Sequence, residues 1–311
     1  MLGNIIEKYW SIKMQLIIAY ISVVLIWATT PLAIQWSSES VGFLFGICGR
    51  FILAAIIALS ISLLLRRKLP LEVKALQTYV IGGVGLSLAM LSVYWASQYI
   101  PSGWVSVIFG MSPILTGLFA MKILGDRGLN ILRTVAILLG IFGLYVMLDT
   151  GTRYGEHAVY GIIGVFMSAA FYSLNLVLIK KVNADIDSHS SVTGTLLVAA
   201  PLFALIWTFI GSDLPDTIPT RAGLAILYLA IIGSVLGFLL FYYVLKRVEA
   251  MRMSLITLLT PIGALLLGHV INNEPLNRDI VIGSILILSG LLFFEFEGAI
   301  RRIKITNSMR S

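Results

Sequence analysis

The stretch Pro101–Leu144 recurs as Glu249–Leu291, and this duplication constrains the fold more than any other feature of the chain. Each copy is an apolar run with one mid-run proline, Pro113 or Pro261, followed thirteen places on by an acid, Asp126 or Glu274. A second apolar run then closes on a glycine, Gly143 or Gly290. The copies are offset by 148 residues at the proline and the acid and by 147 at the glycine, so the second connector is one residue shorter. A duplicated unit sets the plan of what surrounds it, because each copy presents the same faces for burial.

Both copies are too apolar for a soluble domain. Across 311 residues, 59% are hydrophobic and 12% charged, where soluble chains have nearly half and roughly a quarter. The pattern predicts an all-α integral membrane protein with ten transmembrane helices. Apolar runs lie at about 14–35, 43–65, 75–97, 103–122, 131–148, 158–179, 192–210, 223–245, 251–271 and 279–296, each long enough as a helix to cross a hydrocarbon core about 30 Å thick. The first run carries Trp27 and Pro31 and is longer than a signal-peptide core, so it reads as a retained helix. The connector 149–157, DTGTRYGEH, is rich in turn formers. It divides the chain into a first repeat, 1–148, and a second, 158–297, followed by a basic tail, 298–311.

Five spans per repeat is an odd number, so the repeats must cross the membrane in opposite senses. Lysine and arginine placement fits this. With the N terminus inside, 18 bases fall on inner segments, and only Arg153, Arg221 and Arg278 fall on outer loops. Both termini are therefore expected in the cytoplasm. The net charge of +7 is spread beside the apolar runs and forms no single patch, which argues for membrane topology over nucleic-acid binding. Two inverted five-helix units form a transporter plan, with substrate near the midplane between the halves. Further parallels are WATTPLAI in span 1 with FYSLNLVL in span 6, and GLSLAMLSVYW in span 3 with GSVLGFLLFYY in span 8.

These residues also carry a resemblance. Central Ser112-Pro113 and Thr260-Pro261, Leu-Gly-Asp at 124–126, Glu274, Trp27 in span 1 and Gly-Arg-Phe at 49–51 together resemble the EamA-type unit of the drug/metabolite transporter superfamily. The likeness covers about 16–297 and both copies; the second departs from it where Asn272-Asn273-Glu274 stands for Leu-Gly-Glu. The resemblance implies a ten-helix carrier of the bacterial cytoplasmic (inner) membrane that exports or exchanges amino acids or related small amphipathic metabolites through a central cavity.

Arg50 is the one charge well inside an apolar run. A guanidinium there needs a partner or a wet cavity, and its donors suit a substrate carboxylate; the alternative is a bond to backbone carbonyls or a reach to the surface. Trp27, Tyr94, Trp95, Tyr172, Phe241 and Tyr242 lie on spans that the resemblance places around the cavity, although rings also fill helix interfaces and headgroup belts. Asn175 and Gln35 are candidates for substrate contact or for stapling helices together. Pro113 and Pro261 each remove a backbone donor, and such kinks at equivalent points can serve as gating hinges or simply curve a helix. Asp126 and Glu274, just before helices, read as caps, and His269 as a membrane-belt residue. The pairs Gly42/Gly46 and Gly233/Gly237 permit close helix contact, within one chain or in a homodimer.

The sequence offers no catalytic residues, metal-ligand spacing or cofactor motif, and no mid-span Asp or Glu for a proton relay. Cys48 is the single cysteine and forms no intrachain disulfide. The expected partners are the lipid bilayer and a small-molecule substrate. The competing expectation from another class is a membrane scaffold whose cavity is closed by packing.

Overall fold

The computed structural model describes residues 2–125, 131–151, 157–210, 214–245, 247–248 and 250–308. The chain forms helices α1 (Leu2–Ser38), α2 (Phe43–Leu64), α3 (Val73–Ala96), α4 (Ser102–Phe109), α5 (Ser112–Leu124), α6 (Ile131–Gly151), α7 (Ala158–Val182) and α8 (Ser188–Ile210). They are followed by α9 (Thr220–Tyr228), a π-helical stretch Leu229–Leu236, α10 (Gly237–Leu245), α11 (Ala250–Asn272) and α12 (Arg278–Ser308). These make up the ten expected spans. Span 4 comprises α4 and α5, and span 8 comprises α9, the π-helical stretch and α10. Among the described residues seven segments are long and apolar enough to cross a membrane, and 131–147 and 256–272 are shorter apolar helices. At the C terminus α12 continues to Ser308, so the basic tail extends the last helix.

The two duplicated prolines act differently. Pro113 lies in the first turn of α5, where a missing amide costs nothing, and the chain turns at Gly110 and Met111 just before it. Ser112 Oγ donates to the carbonyl of Phe109, the residue a helical amide at Pro113 would have served. Pro261 sits inside α11, which runs unbroken from Ala250 to Asn272. Span 4 is therefore broken and span 9 is continuous, an asymmetry between otherwise matching repeats.

The principal packing joins one repeat to the other. In matching pairs, α1 packs on α9 and α10 as α7 packs on α3, and α1 on α11 as α7 on α5. Helices α2 and α8, α4 and α11, and α6 and α12 each pair with their own counterpart. This is the contact pattern of two inverted repeats exchanged by a pseudo-twofold axis. The closing glycines are set at one of these crossings. A β-carbon on Gly143 would stand 2.7 Å from the Gly283 carbonyl oxygen, and one on Gly290 would stand 2.6 Å from that of Ala136.

Outside this core, α1 exposes Ile18, Ile21 and Leu25 and α6 exposes Leu138, Ile141 and Phe142. Such large apolar faces belong against lipid. Inside, hydroxyls meet carbonyls across the interface: Ser168 Oγ donates to Ala89 O at 2.6 Å and Ser173 Oγ to Ser112 O at 2.8 Å. Hydrocarbon supplies no alternative partner for these groups.

Candidate functional site

The bundle has a proximal end, where α1 begins, and a distal end, where α1 finishes. Arg50, on α2, is 4% exposed. Its Nε donates to Ser234 Oγ at 3.1 Å, within the π-helical stretch of span 8. Nη1 has no protein partner among the described residues, and Nη2 is 3.8 Å from where a Gly233 β-carbon would be. A π-helical turn widens the backbone ladder, and such turns occur often at functional sites. Arg50 thus bonds a hydroxyl on the opposite repeat and keeps spare donor capacity.

The aromatic candidates divide between interfaces. Trp27 lies over Phe241, with ring centroids 4.8 Å apart, and beside it Thr29 Oγ1 shares a 2.6 Å hydrogen bond with Tyr228 Oη. Both contacts tie span 1 to span 8. Tyr172 meets Phe109 at 5.3 Å, next to the break in span 4. Tyr94 is fully buried, and its hydroxyl has no partner among the described residues. Trp95 instead joins Tyr99 at 5.2 Å and packs on Gly164, in a distal cluster continued by His157 and Tyr160. Asn175 packs on Gly85 and donates weakly to Gly82 O at 3.5 Å, and its Oδ1 has no partner among the described residues. The side chain of Tyr242 and the whole of Asp126 lie outside the described residues.

Gln35 staples its own repeat, donating to Ser97 O at 3.2 Å and Ile100 O at 2.8 Å. Gly46, Gly233 and Gly237 pack within the chain, whereas a β-carbon on Gly42, at φ +81, would meet nothing within 4 Å. A β-carbon on Gly46 would meet Ser37 O at 2.4 Å, and one on Gly237 would meet Ile26 at 3.2 Å.

The caps call for a correction. Glu274 does cap a helix, but not α12, which follows it. Its carboxylate accepts from the amides of Ser102 at 3.0 Å and Gly103 at 3.1 Å, the start of α4 in the other repeat. Chain order placed it before α12, whereas the distal packing of α11 on α4 brings it to α4. His269 is likewise engaged at this end, its Nδ1 hydrogen-bonded to the Glu274 carbonyl at 2.8 Å.

The distal end also holds, around Gln35, residues that the sequence did not single out for function. A cavity of about 280 Å³ is lined by Gln35, Trp36, Glu39, Ser97, Arg221 and Asn272 among others. Arg221 stacks over Trp36 at 4.2 Å, lies 3.6 Å from Glu39 and donates to Asn272 Oδ1 at 3.2 Å. Two signals pointed here: Arg221 as one of three bases on outer loops, and the departure at Asn272-Asn273 from the repeat. At the proximal end, Asp187 caps α8 through His189 N at 2.9 Å and Ser190 N at 3.1 Å, with Arg67 at 3.8 Å. Burial works against its charge, but the Ser190 and His189 hydrogen bonds and Arg67 outweigh that and hold its carboxyl below the usual range.

Ten spans in two inverted repeats, packed chiefly across their interface and with buried polar groups there, define a multi-pass membrane transporter. The model of the EamA-like transporter family matches residues 14–149 and 159–296. The chain belongs to that family. It is 23% identical to the uncharacterized transporter YoaV of Bacillus subtilis (strain 168) over 292 residues, 93% of this chain and 99% of the relative. It is 25% identical to Protein PecM of Dickeya dadantii (strain 3937), over 76% of this chain and 78% of that one. With the uncharacterized inner membrane transporter YedA of Escherichia coli (strain K12) the identity is 26%, over 84% of each chain. A solved crystal structure at 22% identity superposes with a TM-score of 0.62, over 90% of this chain and 97% of its own, and shows the shared fold.

Proposed function

We propose that the protein is a secondary carrier that exports or exchanges small organic metabolites, amino acids or related amphipathic compounds, by alternating access. The observation that carries this reading is the unequal contact of spans 4 and 9. The distal segment α4 packs on α11, whereas the proximal segment α5 packs chiefly on α7. Among the described residues the two spans thus meet at the distal end, while the proximal segment of span 4 turns to span 6, as in a carrier closed on one side.

In this reading the distal end faces outward, both termini are cytoplasmic and the membrane is the bacterial cytoplasmic one. The charge asymmetry of the loops and the inner-membrane name of YedA support it. Solute enters from the cytoplasm and meets Arg50, Tyr94 and Asn175, whose buried polar atoms have unused capacity. Trp27, Tyr172, Phe241 and Tyr242 line its path, Trp95 stands at its distal rim, and the gating prolines work as a pair, Pro113 at the turn where span 4 bends and Pro261 seated against that turn. Arg50 is the contact for a carboxylate. The carrier works as a monomer or a homodimer.

The test is flux. Purified protein in liposomes should move labelled amino acids or amphipathic amines with saturable kinetics; flux that rises linearly with concentration, or none for any solute released by overexpressing cells, would count against a carrier. Reporter tags on loops 65–72 and 214–219 should report the cytoplasm and the outside, respectively.

A further inference from the structure

Helix α4 begins with no side-chain cap of its own, since the residue before it is Pro101. Its first two amides are answered from the opposite repeat, Ser102 N by Glu274 Oε1 and Gly103 N by Oε2. A carboxylate at a helix start meets both free donors and the positive end of the helix dipole. Glu274 is 8% exposed, so water competes little for these charge-assisted bonds.

Three features build the seat. A β-carbon on Gly268 would stand 2.3 Å from Glu274 Oε2, and one on Gly103 would be 2.9 Å from Leu265 Cα, so neither position has room for a side chain. Asn273 has φ +52, a left-handed conformation that turns the chain back toward α11. Asn272 Nδ2 donates to Glu274 Oε1 at 3.1 Å, and the Glu274 amide bonds Gly268 O at 3.0 Å. The charged and titratable groups around it are His269 on α11, Arg221 on α9 through Asn272, and Glu39 beyond Arg221.

Helix α4 has eight residues and is separated from α5 by the turn at Gly110 and Met111. That turn is where α4 would move relative to α5. We infer that Glu274 is a latch: its carboxylate holds α4 against α11, and releasing the Ser102 and Gly103 amides is a required step in opening the distal mouth. The latch rests on the alternating-access reading, and it makes Glu274 a positioning residue of the transport cycle.

The test uses full-length protein with Cys48→Ala and a single reporter cysteine. Val105→Cys, buried in α4, is labelled with a membrane-impermeant maleimide in right-side-out vesicles. Thr116→Cys, half-buried in α5, is labelled in inverted vesicles. Glu274→Gln removes the charge. Ser102→Pro removes one amide while leaving the carboxylate, at a helix position where proline is favoured, so it guards against a variant that fails to fold. Both should raise labelling at 105 about tenfold, the effect of losing a hydrogen bond to a charged group, and lower it at 116. If both variants stay monodisperse and label at 105 within about twofold of the parent, the latch is overturned. A reciprocal change in Pro113→Ala alone removes the latch and keeps alternating access. No reciprocal change in any of the three variants removes both.

Discussion

Pro261 of α11 lies against Gly110, the residue at which span 4 breaks: its Cγ is 3.7 Å from where a Gly110 β-carbon would stand. The conserved spacing of the two prolines along the duplicated stretch thus ends in one place, with the ring from one repeat seated on the turn made by the other. Pro113 starts the helix beyond that turn, and Pro261 fills the space the turn leaves.

This placement makes the prolines unequal. Pro113→Ala restores an amide that can continue the helix through Gly110 and Met111, joining α4 to α5. Transport by the reconstituted variant should fall by roughly tenfold, with thermal stability unchanged or lowered by up to about 1 kcal/mol, because removing the proline returns backbone freedom to the unfolded chain. Pro261→Ala restores an amide inside a continuous helix while emptying a packed position, so these opposed terms should leave stability within about 3 kcal/mol of the parent and transport less affected than in Pro113→Ala. Paired flux and thermal-unfolding measurements separate the two.

Arg50 bonds Ser234 through Nε and keeps Nη1 spare. Arg50→Gln should lower uptake of a carboxylate-bearing solute by at least about tenfold while yield and monodispersity stay near the parent. Arg50→Lys keeps the charge but has no planar fork to bond the hydroxyl and the solute together, so it should recover only part of the activity. An Arg50→Gln protein with full transport and reduced stability would assign the residue to packing alone.

At the crossing of α6 and α12, Gly143 faces a backbone carbonyl that cannot move aside. Gly143→Leu should destabilise the protein by at least about 1–3 kcal/mol. Gly223→Ala, whose new methyl would meet only Ile218 at 3.6 Å, should be near neutral. Thermal aggregation midpoints in detergent are the check.

Asp187 caps α8 and is held below the ordinary carboxylate value. A depressed folded-state value means that its stabilisation is complete above the unfolded value of about pH 4 and is lost as pH falls through the lower folded one. Asp187→Ala should therefore cost roughly 1 kcal/mol at pH 7, the usual weight of a cap. The gap between variant and parent should narrow below about pH 4, measured by unfolding midpoints across pH.

The spans were readable one by one because hydrocarbon imposes a length: a helix must offer about 20 apolar residues to cross it. Inversion was readable as well, since five spans per repeat and the placement of lysine and arginine leave little choice. The break in span 4 was only half visible. Ser112-Pro113 and Thr260-Pro261 look alike as sequence, yet span 4 turns just before the first and restarts there as α5, whereas α11 runs through the second.

Much of the candidate site was not readable for a physical reason. Lipid tails and packed side chains are equally apolar, so a membrane helix carries no strong mark of which face meets a partner. Trp27 and Trp95 illustrate this: as sequence both are aromatics on cavity spans, but one lies across the interface on Phe241 and the other joins Tyr99 in a distal cluster. The chain alone determined ten helices, their two opposed sets of five and a buried Arg50, because length and charge act locally. Only the tertiary structure decided that the Glu274 carboxylate answers Ser102 and Gly103. That pairing depends on where two inverted halves meet, and no local preference encodes a partner more than 170 residues away.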